Sequence, residues 1–224
     1  MLTPDGKLTH EAYHFTTKAY QREALRLVIE EANKVAKELQ LPEKLPITET
    51  NLAGTFMVGY GMSFLPPGMI GNVHTRDYGY FVSVGHKLSF VEGAHQNEDC
   101  IKWREQYKWP VNRIDTNHAY QLATQWMMAA SMDVKALNRD CQVRVEPDSF
   151  WNAPLLKKGS FVPIYDVFWV SPQNRAEGFG DTAFVCLFAP TKTLISLRVQ
   201  DSQYILREQL QFTNLENLLS QAAK

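Results

Sequence analysis

The sequence predicts an α+β protein of two similar halves, each a long helix packed on an antiparallel sheet. Three observations predict it. Two segments carry apolar residues at helical spacing, each is followed by runs of strand material, and this order of elements occurs twice. The letters AYQ open both helical segments, at residues 19–21 and 119–121, and KEL (37–39) and KAL (135–137) close them. The expected halves are residues 1–110 and 111–224, the second ending in a short helix.

In AYQREALRLVIEEANKVAKEL, Tyr20, Ala24, Leu27, Val28, Val35 and Leu39 form one apolar stripe. Arg22, Arg26, Glu30, Lys34 and Lys37 lie opposite it. Pro42 and Pro46 stop this helix, because proline cannot continue the backbone ladder. Strand material follows in LAGTFMVGYGMSFL, broken by Pro66-Pro67-Gly68. YGYFVSVGHKLSFVE reads as a hairpin: Tyr78, Tyr80, Val82 and Val84 alternate onto one face, and Gly85-His86-Lys87 makes the turn. NEDCIKWREQYKWP predicts a short helix ended by Pro110.

Asp115 or Thr116 caps the second long helix. Its stripe runs through Leu122, Ala123, Trp126, Met127, Ala130, Val134 and Leu137, and Met128 and Ala129 widen it, which predicts deeper burial than in the first helix. CQVRVE, SFVPIYDVFWV, TAFVCLFA and TLISLRVQ supply the second sheet, with APTKT turning between the last two. A further short strand is expected at Tyr204 to Leu206. TNLENLLSQAAK closes the chain as a small helix, with Thr213 and Glu216 at capping-box spacing.

Composition excludes several function classes. The 224 residues include 23 basic and 24 acidic ones, so no broad electrostatic footprint for nucleic acid exists. No apolar stretch approaches the roughly 20 residues of a membrane-spanning helix. Cys100, Cys141 and Cys186 are widely spaced and lack a CxxC pair, so they read as buried thiols; one disulfide with a free thiol is the alternative in an exported chain. The start, MLTPDGKLTH, has no charged-then-apolar leader, which fits a cytoplasmic protein or an exported one whose leader was replaced by methionine.

One string carries specific chemistry. His10-Glu11-Ala12-Tyr13-His14 spells H-E-x-x-H, in which two imidazoles on one helix face hold Zn²⁺ and the glutamate takes a proton from metal-bound water. Glu11 is then the catalytic candidate, and His10 and His14 the metal ligands. Three features weigh against a peptidase. A third ligand is needed, and Glu30 and Glu31 stand about 24 Å along the same helix, which leaves Glu49, His74 or Glu92. Only nine residues precede His10, too few for the sheet that such peptidases place ahead of the zinc helix. Helical phase also sets His10 and Tyr13 beside the apolar stripe, where they pack.

Other polar groups read as structural first. Extending the predicted hairpin sets Asp77 across from His95, a candidate polar pair. His86 at the turn is about 30 Å from His74, so no three-histidine site forms. Cys100 follows Glu98 and Asp99 at a helix start, where the acids oppose thiolate formation. Trp103 and Tyr107 share a helix face suited to core packing. MVGYGMSFLPPGMIGN has no nucleotide-binding pattern, and the 55–70 region is expected to line a pocket or apolar patch. Asp166 interrupts FVPIYDVFWV on the face of Val162, Ile164 and Phe168, so it requires either an internal partner or a cleft. Asp166, with Asp77 and His95, makes up the candidate polar cleft.

Residues 115–207, with the ending CLFAPTKTLISLRVQDSQYI, resemble the PepSY and cystatin-like modules, and residues 16–92 resemble them in outline. In those modules a strand, a Gly- or Thr-bearing turn and a strand with a Leu-x-Val ending complete a sheet over one helix. The resemblance implies an exported bacterial protein that binds or inhibits something and carries no catalytic motif. QVRVE at 142–146 lacks the glycine of the cystatin Q-x-V-x-G hairpin, so protease inhibition by that route is not implied. The expected function is a binding or protein-interaction module without catalytic activity or cofactor, acting on a protein, peptide or small-molecule ligand. The alternative is a zinc-dependent hydrolase using residues 10–14.

Overall fold

The first apolar stripe folds as helix α1 (Lys18–Glu38) in the computed structural model, which describes residues 18–57, 69–83, 86–94, 96–172, 181–199 and 202–206. Ala24, Leu27, Val28, Ala32, Val35 and Leu39 are buried, while Arg22, Arg26, Glu30, Lys34 and Lys37 are exposed, as their phase predicts. The helix stops before Pro42. Gln40 takes a left-handed φ of 51°, its N–H donates to Lys37 O, and Leu41 N–H donates to Ala36 O. That pair of bonds is the Schellman arrangement, which satisfies the last carbonyls of a helix. Leu41, the residue that follows, is buried.

Both helices and antiparallel strands are present, an α+β architecture. The chain divides into two compact units, and the boundary between Ser89 and Phe90 falls inside a strand. The expected division at residue 110 lies within the second unit. In the first unit α1 packs on an antiparallel meander of β1 (Gly54–Met57), β2 (Met69–His74) and β3 (Tyr78–Ser83). Tyr78, Tyr80 and Val82 are buried along one face of β3, as their alternation predicts. Thr75 closes the β2–β3 turn by accepting the N–H groups of Asp77 and Tyr78 on its hydroxyl. The chain after α1 is held by Asn33, which donates to Ile29 O and Ile47 O and accepts Ile47 N–H at 2.9, 2.8 and 2.7 Å.

β4 (His86–Gly93) carries the unit boundary. The second unit continues with α2 (Gln96–Gln106), β5 (Trp109–Pro110), α3 (Thr116–Ala129), α4 (Val134–Asp140), β6 (Gln142–Pro147), α5 (Ser149–Leu156), β7 (Ser160–Phe161), β8 (Ile164–Val170), β9 (Ala183–Phe188) and β10 (Thr193–Val199). Its sheet runs β4-β10-β9-β8-β6, every pair antiparallel, and β5 and β7 form a separate ribbon. One face packs against α3 through Tyr165, Val167 and Trp169 of β8 and Ala119, Leu122, Ala123 and Met127 of the helix. Asp115 is the cap of α3, accepting His118 N–H at 2.9 Å.

Several expectations need correction. The second long helix is broken: Ser131 takes a φ of 59°, a second Schellman pair forms from Ser131 and Met132 to Met128 and Met127, and Asp133 caps a new helix by accepting Ala136 N–H. Met128 is 56% exposed, so it does not deepen the burial of α3. Tyr204 lies in a 3-10 turn, Ser202–Tyr204, with Ile205 making only an isolated bridge to Met132. Helix α5 was not expected. His86 and Lys87, expected in the hairpin turn with Gly85, belong to strand β4, whereas Gly85 itself and the expected closing helix near Thr213 lie outside the described residues.

No helix among the described residues is long and apolar enough to cross a membrane. The Asn33 clamp yields a direct test. Asn33→Ala strands the N–H and C=O of buried Ile47, so chemical denaturation is expected to show a loss of about 2–3 kcal/mol. A loss below about 0.5 kcal/mol would mean that the clamp is dispensable.

Candidate functional site

Strand parity sets Asp166 on the face of β8 shared by Ile164 and Phe168, away from Tyr165, Val167 and Trp169. Cross-strand register extends that parity into a row. Glu146 of β6 pairs with Asp166, Asp166 with Cys186 of β9, Cys186 with Ser196 of β10, and Ser196 with Glu92 of β4. Beside it runs a second row, Arg144, Phe168, Phe184 and Arg198. The two rings stand 5.0 Å apart, with the guanidinium of Arg144 4.7 Å above one and that of Arg198 5.4 Å above the other. Arg198 also donates to both carboxylate oxygens of Asp181, at 2.8 and 3.0 Å.

On the other side of the polar row lies an apolar cluster of Cys100, Leu155, Val162, Ile164, Phe188 and Ile195. Trp103 stacks on Phe188 at 4.1 Å and 6°, and Tyr107 meets the same ring edge-on at 5.1 Å. The aromatic face of α2 is therefore core, as its spacing predicts.

Asp166 is 8% exposed and Cys186 7% exposed. Burial pushes the Asp166 carboxyl up to about 7; neighbouring Asp148 adds to the rise, and a hydrogen bond from the Cys186 thiol opposes it. The Cys186 thiol is held well above its ordinary range by burial and by the acids beside it. Oδ1 of Asp166 is buried without a hydrogen-bond partner among the described residues. Asp148 completes the cluster. It caps α5 by accepting Trp151 N–H at 2.9 Å, and its own N–H donates to Ile164 O at 3.0 Å, which fixes it beside β8. One ligand-type atom from each of Asp148, Asp166 and Cys186 lies within 4.8 Å of the others, so these three residues can hold a metal ion. Cys100 borders the cluster, its thiol pushed up to about 12 by burial and then by Asp148 and Asp99, so it is no activated nucleophile.

The opposite face of the same sheet carries a groove of about 480 Å³ lined by Thr116, Asn117, Tyr120, Asn138, Val143 and Val145. Its walls are α3 and α4 on one side and β6 on the other. Asn138 of α4 ties that helix to α3 and to β8, donating to Tyr120 OH at 2.8 Å and accepting Trp169 Nε1–H at 2.9 Å. Among the described residues β6 pairs with β8 alone and forms the sheet edge.

Of the residues singled out in the sequence, Asp166 enters a cluster. His10, Glu11, His14 and His95 lie outside the described residues, as do residues 58–68 of the expected apolar loop. Asp77 is exposed in the β2–β3 turn of the first unit. The other candidate third ligands have separate surroundings: Glu49 is exposed in a short 3-10 turn, and His74 packs edge-on against Phe81. All three cysteines are buried, and none is in a disulfide. Sequence reasoning missed Asp148 and the pairing of Asp166 with Cys186. The signal for Asp148 was its place before SFWNAPLL as a capping residue.

The raised Asp166 carboxyl has a signed consequence. Folded chain keeps this proton to about pH 7, whereas an unfolded aspartate loses it near pH 4, so folding binds a proton across that window. Stability is therefore expected to fall as pH rises through it, by at most about 1.4 kcal/mol per pH unit. Urea midpoints measured from pH 4 to 8 in chelator-containing buffer should show that slope, and Asp166→Asn should flatten it; an unchanged slope in the variant assigns the proton elsewhere. No protein-family model, no curated protein and no solved structure matches the chain.

Proposed function

We propose that the chain is a binding module that captures an extended peptide by adding it as a strand to the edge of β6. The observation that carries this reading is the juxtaposition of an edge strand with a groove that opens along it. Alternation along β6 sends Val143 and Val145 into the groove and Arg144 and Glu146 to the other face. An incoming strand pairs with the β6 backbone, while its own alternate side chains drop between β6 and α3. Apolar residues suit those positions, because the two half-buried valines face them and no lining residue is charged. The hydrogen bonds of Asn138 hold the groove in shape before a ligand arrives, which lowers the ordering cost of binding.

The lining residues also lack a nucleophile–base pair, which accords with binding rather than catalysis. The PepSY- and cystatin-like resemblance of residues 115–207, a helix on a sheet without catalytic motif, points the same way.

A displayed library of random peptides tests the proposal. Enriched sequences should carry apolar residues two positions apart. Val145→Lys should weaken their binding at least about tenfold, since it buries a charge in an apolar contact, whereas Phe150→Ala, at an exposed position of α5, should leave it unchanged. Methylating the peptide's backbone nitrogens at alternate positions should abolish binding in one register only. Peptides indifferent to both changes would overturn the reading.

A further inference from the structure

We infer that Asp148, Asp166 and Cys186 form a binding site for a divalent cation of the zinc class. The three residues come from elements that the fold already brings together: the cap of α5 and directly paired positions on β8 and β9. Their candidate ligand atoms lie within 4.8 Å of one another. At the bond lengths of tetrahedral zinc, about 2.3 Å to sulfur and about 2.0–2.2 Å to oxygen, ligand atoms stand roughly 3.3–3.7 Å apart. Side-chain rotations of about an ångström close the set.

A second observation points to a ligand independently of this grouping. Asp166 is 92% buried by its 8% exposure, and its Oδ1 has no hydrogen-bond partner among the described residues. Buried oxygens in folded proteins are seldom left so. Asp148 needs a single oxygen for its cap, because among the described residues Trp151 N–H alone is accepted there, and a carboxylate has a second to offer. Neither arginine near the row supplies the missing charge to Asp166: Arg198 binds Asp181, and Arg144 lies 3.5 Å from Glu146.

The donor set selects the ion. Two carboxylates with one thiolate suit a borderline cation, while magnesium and calcium prefer oxygen alone. Three protein ligands leave a fourth tetrahedral position for water or for a group from a bound molecule. The cation would tie the start of α5 to the two central strands. This site lies on the sheet face opposite the peptide groove and does not depend on the peptide reading.

Cobalt(II), a spectroscopic stand-in for zinc, tests the site on the full chain purified with chelator and then desalted. One equivalent should bind, with an intense thiolate-to-cobalt absorption, and zinc should displace it. Cys186→Ser should remove that absorption, and Asp166→Asn and Asp148→Asn should each weaken binding at least about tenfold, since loss of even an outer-shell partner has that effect. Asn at 148 keeps a capping side chain, so that variant separates ligation from folding. His14→Ala should leave the spectrum unchanged. Folded wild-type protein without a thiolate band, or a band that survives in Cys186→Ser, would overturn the assignment; so would a band lost in His14→Ala.

Discussion

Strand β8 has to serve two packed layers at once, and that constraint shapes the second unit. It lies between β6 and β9, with α3 over one face and the apolar layer of Trp103, Tyr107 and Leu155 near the other. A strand covered on both sides normally reads as uninterrupted apolar sequence. IYDVFWV breaks that rule at one residue. The carboxyl of Asp166 therefore sits where charge is costly, and its surroundings answer with more acid, since Asp148, Glu146 and Asp181 all raise its proton affinity. The neighbouring thiol offers one hydrogen bond and no positive charge.

Local physics made much of the fold legible. The stripe of α1, the buried face of Tyr78, Tyr80 and Val82, the cap at Asp115 and the parity of Asp166 each follow from periods of 3.6 or 2 that need no knowledge of distant partners. One local feature was misread and another was left unassigned. Ser131 and Asp133 favour a stop and a restart, yet the apolar stripe ran across them. SFWNAPLL contains Pro154, which reads as a breaker but is tolerated in α5.

Long-range register is another matter. That Asp166 faces Cys186, twenty residues later, depends on the length of the β8–β9 connection and on the bulge-free pairing of those strands. That Asp148 joins them depends on α5, which was not foreseen. The candidate site was thus half legible: one member by parity, the others only through topology. The groove was not legible at all, because it needs the break between α3 and α4 to bring Asn138 beside Tyr120.

The two faces of the second sheet divide their chemistry cleanly. One collects ionisable groups under an aromatic cover; the other presents neutral side chains along an edge. β6 takes part in both, with Val143 and Val145 turned to the groove and Glu146 to the acidic row. Alternation along a single strand keeps the two from interfering, since neighbouring residues point to opposite sides.

Concealment of every thiol gives the chain a practical property. With Cys100, Cys141 and Cys186 all shut away from solvent, thiol-directed dyes have no ready target on the native surface. A cysteine engineered at an outward position would then be the first to react by a wide margin, and slow modification of the original three would report how often the interior breathes. Fluorophores or spin labels can be attached without first deleting natural residues, which leaves the packing around Phe188 and Asp166 as it is.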